Sequence, residues 1–138
     1  MKGPRLILGG GGAAVLGGVS VLHLYWAAGG RRGQHAGIPT SDGRALMAPS
    51  TAATVAVAAV LATACGLYVG ATARWEPRWV YGIGTTGAAA VLAARAIGDR
   101  RYIGFLKRSR DSAFARRDTY LYSPLCAVLA VAGAAVAA

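Results

Sequence analysis

Three ionisable side chains in this sequence have the chemistry of general acids and bases. His23 lies near the end of one apolar run, Asp99 follows the end of another, and Asp118 precedes a third. A histidine changes charge near neutral pH and can therefore accept or donate a proton, while a carboxylate can orient it. Ionisable groups at such positions are costly in a membrane and are functional candidates by default. We take these three residues as the candidate catalytic set.

Five further side chains are candidates for binding a substrate: Trp26, Arg95, Arg101, Lys107 and Tyr122. The three cations would neutralise an anionic head group. Arg95 and Asp99 are four residues apart, a spacing that predicts an ion pair on one helix face. Tyr122 follows Asp118 at the same spacing, and Trp26 is three residues after His23. A helical bundle could therefore gather these groups into one polar pocket.

Each of these residues also has a plainer interpretation. Trp26 is typical of the aromatic belt at a membrane interface. Asp118 and Thr119 are good helix N-caps, Arg95 can extend toward the head groups, and His23 can make a single structural hydrogen bond. The sequence leaves both interpretations open.

The elements that must position these residues are apolar. Leu6 to Gly30, Ala45 to Ala73 and Thr119 to Ala138 carry no formal charge, and Trp79 to Gly98 carries only Arg95. About 20 apolar residues cross the hydrocarbon core. We predict an all-α fold, a four-helix transmembrane bundle with helices at about 5–28, 47–72, 79–98 and 119–137, forming one domain over residues 1–138. The first run is longer than the apolar region of a signal peptide.

The basic residues lie between these runs, and the net charge is +10. Connections 29–46 and 99–118 carry ten Arg or Lys residues, whereas the opposite side carries four. The positive-inside rule predicts that both long loops are cytoplasmic and both termini outside, although Lys2 and Arg5 favour the reverse. Basic loops between apolar runs suit anionic lipid rather than nucleic acid, and no nucleic-acid partner is expected.

The segment between the third and fourth helices has two interpretations. If Tyr102 to Phe114 is helical, its apolar residues share a face that Arg110 interrupts, which suggests an amphipathic helix in the interface. Otherwise the segment is a basic anchor without a ligand. Cys65 and Cys126 are expected to pack in the bundle. No metal or nucleophile motif is present, and we expect no cofactor.

Three stretches resemble signatures of a bacterial family of small four-helix membrane proteins catalogued as a domain of unknown function. They are His23-Leu24-Tyr25-Trp26-Ala27-Ala28-Gly29-Gly30, then the run from Arg95 to Lys107 (RAIGDRRYIGFLK), then the run from Asp118 to Cys126 (DTYLYSPLC). Members often have Phe where this chain has Arg100 and Leu106. The resemblance implies a multi-pass protein of the bacterial inner membrane, and it implies no activity.

Three functions remain in competition, and the sequence leaves open whether the protein is an enzyme. The first is a site at the cytoplasmic boundary that binds or acts on an amphiphile such as a lipid or isoprenoid. The second is an accessory or structural subunit of a larger membrane complex. The third is a small oligomeric transporter, for which polar groups gathered at one boundary are less suitable than groups at mid-membrane. The expected partners are membrane lipid, an anionic amphiphile, and a second copy or a larger complex.

Overall fold

The computed structural model describes residues 2–138, and most of these are helical. The helices are α1 (Lys2–Ala27), α2 (Gln34–Gly37), α3 (Thr51–Ala73), α4 (Arg78–Ile97), α5 (Ala113–Arg117) and α6 (Ser123–Ala137), with a π-helical segment (Asp118–Tyr122) joining α5 to α6. A short hairpin pairs the two-residue strands β1 (Thr40–Ser41) and β2 (Arg44–Ala45) in antiparallel register.

Within these residues, four helical stretches are long and apolar enough to cross a membrane: Gly3–Ala27, Thr51–Ala73, Arg78–Ile97 and Ala113–Ala137. The predicted four-helix fold is therefore confirmed. Two predicted helix starts were misplaced. The second span begins at Thr51 because the Ser50 side chain accepts the Ala53 N–H as an N-cap. The fourth begins at Ala113, where the Ser112 side chain accepts the Ala115 N–H.

The core is built around one tyrosine and the glycines that make room for it. Tyr68 is fully buried, and its hydroxyl donates to the Leu129 carbonyl at 2.7 Å. A Cβ on Gly12 would lie 2.9 Å from the Tyr68 ring, and one on Gly133 would lie 2.2 Å from its hydroxyl. Ala13 and Leu16 complete this cluster. Small residues thus let the helices close around a side chain that would otherwise hold them apart.

Chain connectivity gives the bundle two different ends. Residues 74–77 form a tight turn between α3 and α4 at one end, which also holds the start of α1 and the end of α6; we call it the short-turn end. The connections 28–50 and 98–112 lie at the other, the long-loop end. Segment 98–112 contains no helix, so an amphipathic helix over 102–114 is wrong. Gly98 and Gly104 have φ of 89° and 85°, which interrupts any helix there.

Candidate functional site

Asp118 is the centre of the polar structure at the long-loop end. It is fully buried at the start of the π-helical segment. Its Oδ1 accepts from Arg95 Nη2 at 2.8 Å, and its Oδ2 accepts from Lys107 Nζ at 3.0 Å and from the Gly104 N–H at 2.7 Å. Helix α4, the loop and the fourth span therefore meet on one carboxylate. We call Arg95, Gly104, Lys107, Asp118 and Thr119 the Asp118 cluster.

Lys107 is as deeply enclosed as its partner, with 2% of its surface exposed. Its ammonium donates to Asp118 Oδ2, to the Gly104 carbonyl at 3.0 Å and to Thr119 Oγ1 at 2.6 Å. The Thr119 hydroxyl in turn donates to the Ala115 carbonyl at 3.0 Å. An ammonium has three donors, and all three are used. Full hydrogen bonding of this kind is what makes a buried ion pair tolerable.

The remaining charge of the cluster resides on Arg95. Two cations face one carboxylate, and about a third of the Arg95 side chain (32%) is exposed. Its Nη1 is buried and has no hydrogen-bond partner within residues 2–138. Arg95 therefore links the sealed ion pair to the outside of the bundle.

The loop that carries Lys107 is folded tightly against the end of α4. The N–H groups of Phe105 and Leu106 donate to the carbonyls of Ala96 and Ile97 at 2.8 and 3.2 Å, which satisfies acceptors that a helix end otherwise leaves free. A Cβ on Gly104 would lie 2.4 Å from the Gly98 Cα. Both glycines are needed because the two backbone segments touch.

Asp99 stabilises the turn of this loop and does not pair with Arg95 as the spacing predicted. Its Oδ1 accepts the N–H groups of Arg101, Tyr102 and Ile103 at 2.8, 2.7 and 3.0 Å. These bonds, led by that from Ile103, hold the pKa of this exposed carboxyl below its usual value. The predicted pair required helix through residue 99, but α4 ends at Ile97.

His23 and Trp26 lie together, apart from the Asp118 cluster. His23 Nδ1 is 2.8 Å from the Val19 carbonyl, and the two rings meet edge to face at 5.0 Å. Trp26 Nε1 donates to the Arg32 carbonyl at 2.9 Å. Among residues 2–138, His23 makes no hydrogen bond or ion pair with Asp99 or Asp118.

The last two candidates contact other partners. The Tyr122 hydroxyl donates to the Ala36 carbonyl at 2.8 Å, and its ring lies 6.0 Å from that of Phe114. The Arg101 guanidinium lies 5.3 Å from the centroid of the Tyr102 ring. Of the eight candidates, the structure joins Arg95, Lys107 and Asp118 directly, and the other five make separate local contacts.

The cluster also uses a glycine that the sequence analysis did not single out and a threonine that it considered only as a helix cap. Gly104 supplies both an N–H donor and a carbonyl acceptor, and Thr119 accepts from Lys107 rather than capping a helix. The only signal for Gly104 was its distance of six residues from Gly98. Within residues 2–138, no group of three or more His, Cys, Asp or Glu side chains is arranged to hold a metal ion. Both cysteines are free.

This arrangement stabilises the position of loop 98–112 and does not expose a reactive group. All three strong donors around Asp118 aim at its carboxylate, and no part of the carboxylate reaches the surface. A general acid or base must come within hydrogen-bond reach of its substrate. The cluster instead fixes the loop to the fourth span.

The chain matches a protein family whose description is protein of unknown function, DUF3995, over residues 16–133. The matched range contains the Asp118 cluster, the His23–Trp26 pair, most of the last three spans and about half of the first. No curated protein and no solved structure matches the chain. With four apolar spans and a family match over most of its length, this chain belongs to the DUF3995 family of membrane proteins.

Proposed function

We propose that this protein binds an anionic amphiphile, such as a lipid or an isoprenoid phosphate, at its long-loop end, which we expect to face the cytoplasm. One observation carries the proposal. The Asp118 cluster holds loop 98–112 in a single folded shape that exposes apolar and basic side chains side by side.

The charge at this end supports an anionic ligand. Eleven basic side chains lie there against four acidic ones. Asp118 is already neutralised within the bundle, and Asp99 is occupied by its own loop. Nine arginines remain exposed, and none of them forms an ion pair within residues 2–138: Arg31, Arg32, Arg44, Arg100, Arg101, Arg108, Arg110, Arg116 and Arg117. Basic residues clustered at a membrane surface attract anionic lipid.

Apolar side chains accompany these arginines. Phe105 and Leu106, in the folded loop, are 44% and 52% exposed. Tyr120, at the start of the fourth span, is 82% exposed. Side chains of this type bury readily at the boundary between head groups and acyl chains. A ligand with a charged head and an apolar tail matches both halves of this surface.

Binding is better supported than catalysis. The carboxylates of Asp99 and Asp118, which we considered as catalytic partners of His23, both accept hydrogen bonds from nearby groups of the chain. His23 bonds within its own helix. Among residues 2–138, neither carboxylate bonds to His23, which favours binding over catalysis.

Titration of the purified protein with phosphatidylglycerol in neutral detergent tests the proposal, with phosphatidylcholine as the uncharged control lipid. The triple variant Arg100→Gln/Arg101→Gln/Arg108→Gln removes the cations around Phe105 and Leu106. Each basic residue near the membrane surface contributes on the order of 1 kcal/mol to the binding of anionic lipid. The affinity of the triple variant for phosphatidylglycerol should therefore fall by about a hundredfold. Undiminished affinity in the triple variant would contradict the proposal, and so would equal affinity of the wild type for both lipids.

An accessory-subunit function has one specific observation in its favour. An apolar cavity of about 390 Å³ opens between α1, α3 and α4, and its lining includes Leu16, Leu61, Leu67, Val91 and Leu92. Without a hydrophobic driving force in lipid, helices associate through close packing into such grooves. If a second copy fills the groove, Val60→Cys in a background of Cys65→Ser and Cys126→Ser should cross-link the protein into dimers upon oxidation. An exclusively monomeric product would count against self-association through this face.

A further inference from the structure

The short-turn end contains a second polar feature, separate from the Asp118 cluster. A cavity of about 150 Å³ lies where α1, α3, α4 and α6 converge. Three arginines and two aromatic residues face it: Arg5, Arg74, Arg78, Trp75 and Tyr81. A cavity of this volume admits a molecule the size of benzene, and a phosphate group is no larger.

Arg5 is held in this cavity by backbone carbonyls and not by a carboxylate. Its Nη2 donates to the Ala71 carbonyl at 3.1 Å and also to the Val136 carbonyl, at the last turns of α3 and α6. Its Nε is buried and has no hydrogen-bond partner within residues 2–138. Carbonyls carry only partial charge, so the positive charge of Arg5 is not neutralised.

The other two arginines differ in how they are paired. Arg78 forms an ion pair with Glu76, with 2.9 Å between Nε and Oε1. Glu76 is the only acidic side chain at this end. Within residues 2–138, no carboxylate lies within ion-pair distance of Arg5 or Arg74. Arg5 and Arg74 therefore face the cavity without an ion-pair partner among the residues described.

The aromatic wall places the cavity at the depth of lipid head groups. Trp75 and Tyr81 meet edge to face at 5.9 Å, and a Cβ on Gly70 would lie 2.1 Å from the Tyr81 ring. Trp75 and its neighbour Trp79 are 51% and 68% exposed. Exposed tryptophans at the ends of apolar helices mark the interface. Gly70 thus leaves room for the Tyr81 ring, which closes the cavity on one side.

We propose that this cavity binds a phosphate-type oxyanion between Arg5 and Arg74, with the head group of an anionic lipid as the physiological source. Guanidinium groups bind phosphate oxygens through paired N–H donors. Such an oxyanion would give Arg5 Nε the acceptor that the described residues do not provide. Because the cavity is at the opposite end of the bundle, this inference is independent of binding at loop 98–112.

Calorimetric titration of the purified full chain tests the site with three soluble probes: inorganic phosphate, dihexanoyl phosphatidylglycerol and dihexanoyl phosphatidylcholine. Arg74→Gln is the main variant because Arg74 is exposed and its loss leaves the fold intact, whereas Arg5 also bonds two helix ends. Loss of one charge-assisted contact should weaken phosphatidylglycerol binding by about tenfold. Asp42→Asn, which changes an exposed charge at the long-loop end outside both proposed sites, should change it by less than about twofold.

The outcomes separate the sources and the two sites. Binding of phosphatidylglycerol but not of phosphate supports a lipid site, and equal binding of both supports a site for the phosphate group itself. The triple variant Arg100→Gln/Arg101→Gln/Arg108→Gln should retain the component that Arg74→Gln removes. The inference is overturned if neither anion saturates, if Arg74→Gln has no effect, or if Asp42→Asn weakens binding equally.

Discussion

The two ends of the bundle treat buried positive charge in different ways. At the long-loop end, Arg95 and Lys107 share the carboxylate of Asp118, which accepts from both at 2.8 and 3.0 Å. At the short-turn end, Arg5 is held by the carbonyls of Ala71 and Val136. The first arrangement supplies a formal negative charge from the chain itself. The second leaves a full positive charge in place.

This difference distinguishes the charges that stabilise the fold from those that are available to bind a ligand. A carboxylate with no exposed surface and three donors has no capacity for a ligand, and its removal would strand two cations. A guanidinium held only by dipoles keeps its attraction for an anion. We therefore assign the Asp118 cluster to loop positioning, and we assign ligand binding to the exposed arginines and to the Arg5 cavity.

The largest expected effect comes from removing the central charge. Asp118→Asn keeps the size of the side chain but leaves Lys107 buried without an anion, which should cost about 3–5 kcal/mol and lower the melting temperature by about 10 °C or more. Adding Lys107→Met removes the stranded ammonium and should restore at least part of that loss. Asp111→Asn, an exposed carboxyl without an ion pair among residues 2–138, is the matched control. If Asp118→Asn and the double variant have the same melting temperature, Asp118 and Lys107 are not energetically coupled as described.

A smaller effect is expected from the loop backbone. Gly104→Ala requires a side chain at φ of 85° and places Cβ 2.4 Å from the Gly98 Cα, where main-chain atoms block it. Strain of this kind costs about 1–3 kcal/mol, and the clash adds to it. Gly43→Ala is the control, since Gly43 has φ of 73° with open space around it and should suffer only the strain. Equal thermal shifts for the two variants would show that the close approach of residues 98 and 104 does not matter.

The smallest effect concerns Asp99 and pH. Hydrogen bonds lower the pKa of its carboxyl in the folded protein, so its contribution to stability is complete above the ordinary value of about 3.9 and is lost as pH falls through the folded value. Between pH 6 and pH 3, the wild type should lose more thermal stability than Asp99→Asn, whose amide oxygen does not titrate. Because Asp99 is exposed, we expect a difference of about 2 °C or less. A greater acid sensitivity in the variant would reverse the assignment.

The spans were predictable because hydrophobic length is a local property of the sequence. Uncharged runs placed all four helices, and the errors came at their ends. The uncharged run from Ala45 suggested a helix starting near residue 47, yet Ser50 is the N-cap. Asp118 suggested a cap at the start of the fourth helix, yet that helix begins five residues earlier at Ala113 and passes through a π-helical turn. Periodicity does not detect a change of helix type.

The site was only partly predictable because its partners are chosen by the three-dimensional path of the loop. Sequence reasoning selected Arg95, Lys107 and Asp118, and the structure joins them. It paired Arg95 with Asp99, which holds only if the helix continues, and Gly98 ends it. It also expected His23 beside Asp118, although His23 bonds within its own helix. Residues that belong to four different elements cannot be paired by spacing along the chain.

Hydrogen exchange shows whether the buried Asp118 carboxylate holds loop 98–112 in place. The Gly104 N–H donates to Asp118, and the N–H groups of Phe105 and Leu106 donate to the end of α4, so all three should be protected in the wild type. In Asp118→Asn, exchange across the loop should accelerate at least about tenfold, and by a larger factor than exchange in α3. Unaltered protection of the loop in that variant would show that Asp118 does not hold it in place.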